Sequence, residues 1–122
     1  MILVDSSVWV DHLRNNNPGL GRLLDENRVL SHPFVIGEIA LGNLRQREMV
    51  LSALGGLPQA IVADDREVQI FIEDQRLYGR GIGYVDVHLL TATRLTPDAS
   101  LWTMDKRLGA IARGLGRCFP GI

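Results

Sequence analysis

Four carboxylates in this chain interrupt apolar surroundings: Asp5, Glu38, Asp86 and Asp105. Asp5 ends the run Ile2-Leu3-Val4, and Asp105 ends Ser100-Leu101-Trp102-Thr103-Met104. Glu38 is the one charge between Phe34 and Gly42, and Asp86 follows the glycines at 79, 81 and 83. Left unpaired among such residues, a carboxylate costs roughly several kcal/mol, so each needs a compensating partner. A shared cation answers for all four at once. Oxygen donors without Cys or clustered His suit Mg²⁺, or Mn²⁺, better than zinc. Taken singly, Asp86 and Asp105 read as well as helix caps or arginine partners. Glu38 does not, being neither at a helix start nor on a polar face.

The elements that must position these acids follow from punctuation and periodicity. Ile2-Leu3-Val4 is too short for a helix and β-branched, which reads as a strand buried on both faces. Ser6 and Ser7 are good N-cap residues, and Val8, Trp9, Val10 and Leu13 then have helical spacing. Asp5 therefore sits at the carboxyl end of a strand, where open α/β sheets bind ligands. Asn15-Asn16-Asn17-Pro18-Gly19 is a turn, and Leu20, Leu23 and Leu24 mark a short second helix. Val29-Leu30-Ser31 reads as a second strand, Pro33 opens an apolar helix through Gly42, and Arg45 to Leu54 forms another that stops at Gly55-Gly56.

Ala60 to Ala63 is a candidate third strand, after which Asp64 and Glu67 have capping-box spacing. Val68, Phe71, Ile72 and Leu77 carry that helix's apolar face. A glycine loop then delivers Tyr84 to Leu90 as the start of a helix that Pro97 ends. Ser100 to Met104 is the fourth strand, Lys106 to Leu115 the last helix, and Arg117-Cys118-Phe119 a short fifth strand. This alternation predicts an α/β fold, a three-layer α/β/α sandwich on a parallel sheet of about five strands. The order 3-2-1-4-5 brings Asp5 beside Asp105.

At 122 residues, residues 1–122 make a single domain. With 46% hydrophobic and 22% charged residues it reads as an ordinary globular protein, neither disordered nor membrane-spanning. Ile2-Leu3-Val4 lacks the features of a signal peptide, so a cytoplasmic location is the default. Cys118, the single cysteine, has no partner for a disulfide and reads as a small core residue. The net charge of −1 carries no nucleic-acid signature. Twelve of the thirteen basic residues are arginine, which suits phosphate contact but also follows from genome base composition.

Taken together, Val-Asp-Ser-Ser-Val-Trp-Val, Val-Ile-Gly-Glu-Ile-Ala-Leu-Gly, Gly-Tyr-Val-Asp-Val-His-Leu-Leu and Leu-Trp-Thr-Met-Asp-Lys-Arg-Leu resemble a PIN-domain ribonuclease, most closely the VapC-type toxins of bacterial toxin-antitoxin pairs. The resemblance spans almost the whole chain, with no departure at the four acids. It implies that Asp5, Glu38, Asp86 and Asp105 are the catalytic, metal-binding residues, with Ser6 where the family has Thr or Ser. It implies Mg²⁺-dependent hydrolysis of RNA leaving a 5′-phosphate and a 3′-hydroxyl. A cognate antitoxin and a homodimer are implied as partners. Ser6 is equally readable as a plain N-cap.

Other features take quieter readings. Asp64-Asp65 is explained by the capping box, and His12, His32 and His88 are too scattered to be ligands and read as surface or supporting residues. Trp9 and Trp102 read as core. Arg45, Arg47, Arg80, Lys106 and Arg107 either guide phosphates toward an acidic pocket or are solvated charge. Two other classes remain: a phospho-acceptor receiver, which lacks here its acidic pair and its lysine, and a PIN-fold module that binds without turnover. A PIN nuclease with a housekeeping RNA-processing role also fits the resemblance. Metal-dependent cleavage of RNA separates the enzymes from the rest.

Overall fold

The computed structural model describes residues 1–120. In chain order the elements are β1 (Ile2–Val4), α1 (Ser6–Asn15), α2 (Pro18–Asp25), β2 (Val29–Leu30), α3 (Pro33–Ala40), α4 (Arg47–Gly55), α5 (Asp65–Gln75), α6 (Tyr84–Leu95), β3 (Ser100–Trp102) and α7 (Lys106–Gly114). β1 lies at the centre of a parallel sheet in the order β2-β1-β3. Leu3 stands opposite Leu30 on one side and Leu101 on the other. Side chains alternate across a strand, yet Ile2, Leu3 and Val4 are all buried, so both faces of β1 are covered. Full burial of each such side chain contributes about 1.5–3 kcal/mol. α6 and α7 pack on β3, α1 packs on α3, and α5 on α6.

The sheet has three strands rather than about five. At the edges expected for the two outer strands there are single bridges: Ser31 to Gln59 beside β2, one residue before the expected Ala60 to Ala63, and Leu101 to Cys118 beside β3. Around Gln59 the pairing consists of Ser31 N–H to Pro58 O and Ala60 N–H to Ser31 O. It goes no further because the Ile61 N–H donates to Thr96 Oγ1 instead, at 2.8 Å. Ile61 and Val62 are left exposed, so this apolar run lies on the surface. On the other side, Pro120 follows the last bonded residue, Phe119, and has no N–H to continue a ladder.

Helix starts explain how the acids are aimed. Asp5, rather than Ser6 or Ser7, is the N-cap of α1, its carboxylate accepting from the Ser6 N–H. Asp105 caps α7, and Asp64 with Glu67 forms the full capping box of α5. α3 ends at Ala40, short of Gly42, and α4 begins at Arg47 rather than Arg45. Between them the Arg47 guanidinium holds the carbonyls of Ala40 and Gly42, which makes it a helix terminator and not a free cation.

His32 and His88 are in the core, not on the surface. His32 caps α3, its Nδ1 accepting from the Phe34 N–H at 3.0 Å. Burial first, and the neighbouring His88 second, hold its pKa down to about 4. Trp9 is buried as expected, whereas Trp102 is half-buried against Phe119. No helix among the described residues is long and apolar enough to cross a membrane.

Candidate active site

Asp5, Glu38, Asp86 and Asp105 come from β1's end, the middle of α3, the first turn of α6 and the start of α7. They converge: the charges of Asp5 and Asp86 act on Glu38, and those of Asp5 and Asp105 act on Asp86. Three of the four stand at helix N-termini, where the helix dipole favours negative charge. The loop before Asp86 depends on Gly81, whose φ is +79° and which lies so close to Arg107 that a Cβ there would meet Nη1 at 2.5 Å.

Each carboxylate anchors itself to its own scaffold. Asp86 Oδ2 accepts from the Gly83 N–H at 3.1 Å, and Asp105 Oδ1 from the Leu108 N–H at 2.9 Å. Glu38 Oε1 accepts from Ser6 Oγ at 3.0 Å, a bond that gives Ser6 a role beyond helix initiation. Asp5, 6% exposed, is the hub. Its Oδ2 accepts from Ser7 Oγ at 2.8 Å and from Thr103 Oγ1 at 2.7 Å. Those two hydroxyls in turn accept from the N–H groups of Met104 and Asp105. Two short bonds saturate Oδ2, whereas Oδ1 takes the Ser6 N–H at 2.8 Å and only a long contact of 3.5 Å from Ser6 Oγ, whose shorter bond goes to Glu38, so Oδ1 is the oxygen with capacity for another partner. Glu38, Asp86 and Asp105 likewise each keep one oxygen outside these anchoring bonds.

Ser7 and Thr103 escaped the sequence reading. A hydroxyl beside a helix start reads as a cap, and nothing local shows that two such hydroxyls, 96 residues apart, meet on one carboxylate oxygen. The signal that could have found them is the expected adjacency of the first and fourth strands, since each hydroxyl lies within two residues of an acid at a strand end.

No side-chain cation pairs with the cluster: among the described residues the one arginine or lysine ion pair is Arg28 with Glu26, and the His88 imidazole lies 3.6 Å from Asp65. Burial, and then repulsion from its acidic neighbours, outweighs the opposing hydrogen bond and raises the pKa of Glu38 above its ordinary 4.5 and that of Asp86 above its ordinary 3.8. An acid with a higher pKa folded than unfolded binds more protons when folded, so stability falls as pH rises from the unfolded pKa through the folded one. In metal-free buffer, the melting temperature of wild type is expected to fall more over that window than that of Asp86→Asn. Parallel profiles across a pH series of thermal melts would count against mutual repulsion.

The donor set matches a hard cation in being all oxygen and in excess negative charge. Among the described residues no three such side chains close directly around one point, so a cation held here would need further ligands, which water commonly supplies to Mg²⁺. A groove of about 460 Å³ runs from Glu38 along Val10, Leu13, Ile39 and Leu44, with Arg14 and Arg45 on its walls. Of the basic residues expected to face the acids, Arg45 lines the same groove as Glu38, while Arg107 packs over the glycine loop.

No family model matches the chain. The chain is 47% identical over 110 residues to "Ribonuclease VapC32" of Mycobacterium tuberculosis (strain CDC 1551 / Oshkosh), covering 90% of this chain and 89% of the relative. The protein of the same name from strain ATCC 25618 / H37Rv matches to the same extent. That alignment runs through nearly the whole of both proteins, and at this identity the chain belongs to the VapC family.

Proposed function

We propose that this protein is a Mg²⁺-dependent endoribonuclease, the toxin of a type II toxin-antitoxin pair. The observation that carries the reading is the convergence of four carboxylates from four separate segments, none of them in an ion pair with an arginine or lysine among the described residues. The name ribonuclease on relatives 47% identical supports RNA as the substrate. Asp5 through Oδ1, together with Asp86 and Glu38, would hold the ion directly or through its waters, and Asp105 would orient a water at the edge. When bound, Mg²⁺, or Mn²⁺ in its place, stabilises charge on the phosphate oxygens and lowers the pKa of a water. The chain's own part is alignment. Ser7 and Thr103 fix the rotation of Asp5, Ser6 fixes Glu38, and the Gly83 N–H fixes Asp86. Products with a 5′-phosphate and a 3′-hydroxyl, a cognate antitoxin covering the acids, a homodimer and a cytoplasmic location complete the proposal.

Purified protein is expected to cleave total RNA with Mg²⁺ and to stop when the metal is chelated. Expression alone is expected to arrest growth, and co-expression of the neighbouring gene to relieve it. Intact RNA after incubation with folded protein and Mg²⁺ would overturn the enzymatic reading. Unimpeded growth despite an active product would overturn the toxin role.

A further inference from the structure

Four rings line up across the starts of α3 and α6. His32 lies 5.2 Å from Phe34 between centroids, Phe34 lies 4.7 Å from His88, and His88 lies 4.7 Å from Tyr84, each pair edge to face. His88 is 2% exposed and forms the floor, while Phe34 and Tyr84 on either side of it are 37% and 45% exposed. Tyr84 is held in place by its hydroxyl, which donates to Asp65 Oδ1 at 2.9 Å. The exposed rings are therefore backed by a buried one and cannot easily fold away. Phe34 is four residues before Glu38 on α3, so the two share a helix face about 5–6 Å apart. Neither the cleft chemistry nor the core explains two large aromatic surfaces kept in solvent one turn from the acids.

We infer that Phe34 and Tyr84, backed by His88, form a stacking platform for a nucleobase of the RNA next to the bond that the acids cleave. The inference rests on the ribonuclease reading above. The local charge selects a base over a phosphate, because Asp65 holds the Tyr84 hydroxyl and Glu38 lies one helical turn after Phe34, and both charges repel phosphate. Asp65 uses one oxygen on Tyr84 and keeps Oδ2 as an acceptor for an N–H on a base edge. Every base has a π-face, and stacking on an aromatic side chain strengthens single-strand binding about 5- to 150-fold per base.

The test uses a single-stranded oligoadenylate twelve nucleotides long and the full protein, with Mg²⁺ chelated for binding and present for cleavage. Phe34→Trp places a fluorophore in the platform, and the oligoadenylate is expected to quench it saturably while the emission of wild type, from Trp9 and Trp102, stays unchanged. Phe34→Leu keeps an apolar side chain but no ring, and is expected to raise KM for RNA by about 5- to 150-fold while kcat holds. Phe34→Trp should restore the wild-type KM, which separates stacking from a folding defect. Quenching without any RNA cleavage by wild type would leave the platform standing and overturn the hydrolytic reading instead. Cleavage with unchanged KM in Phe34→Leu, and no quenching in Phe34→Trp, would overturn the platform alone. So would a Phe34→Leu protein that binds RNA normally but loses its co-expressed antitoxin, since the rings would then belong to a protein interface.

Discussion

Asp86→Asn is expected to lose RNA cleavage by more than the roughly 10- to 100-fold that follows loss of an outer partner at a metal site, and yet to melt higher than wild type in metal-free buffer. The two effects come from one atom change. Asn keeps a carbonyl oxygen to accept the Gly83 N–H, so the start of α6 stays capped. What disappears is a charge that burial and the carboxylates of Asp5 and Asp105 make unfavourable. Mg²⁺ that binds only the folded protein raises its melting temperature by mass action, so wild type should gain more from the metal than the variant. Thermal melts of both proteins with and without Mg²⁺, at constant ionic strength, check the stability half, and cleavage of total RNA checks the other. A variant that melts lower without metal, and gains as much from Mg²⁺ as wild type, would make Asp86 a structural cap.

Asp5→Ala is expected to lose cleavage as well, but with the opposite effect on stability, a loss of about 2–4 kcal/mol. Its carboxylate caps α1 and is the acceptor for both Ser7 and Thr103. Removing it leaves two part-buried hydroxyls without their acceptor, and those hydroxyls hold the N–H groups that begin the turn into α7. Relief of repulsion offsets part of this loss and no more, because Asp5 makes more bonds than Asp86. Urea unfolding measures the difference. An Asp5→Ala protein as stable as wild type would show that the hydroxyl network adds nothing. Asp86→Asn is thus the cleaner probe of chemistry, and Asp5 the position where chemistry and fold cannot be separated.

The four acids were legible because each breaks an apolar run, a signal that needs no tertiary information. The central strand was legible for the same reason, since three consecutive apolar residues can only be buried on both sides. The outer strands were not. Ala60 to Ala63 has the composition of a strand, but the N–H of Ile61 goes to Thr96, 35 residues away, and no local pattern reveals that competition. His88 looks polar in a list of residues and is buried between the rings of Phe34 and Tyr84, so only the meeting of the starts of α3 and α6 decides its fate. The roles of Ser7 and Thr103 depend on a strand pairing across almost the full chain, which spacing suggests and only the fold realises.

That pairing also imposes a schedule. β1 is made almost a hundred residues before β3, so it acquires one of its two partners late, and Asp5 is aligned only once Thr103 arrives. At about 5–20 residues per second on the ribosome, Asp105 follows Asp5 by roughly 5–20 s. Throughout that interval the acids exist in the nascent chain without being a cluster. The acids therefore become a cluster only after β3 has been made, because Asp5 is not held in place before Thr103 is available to it.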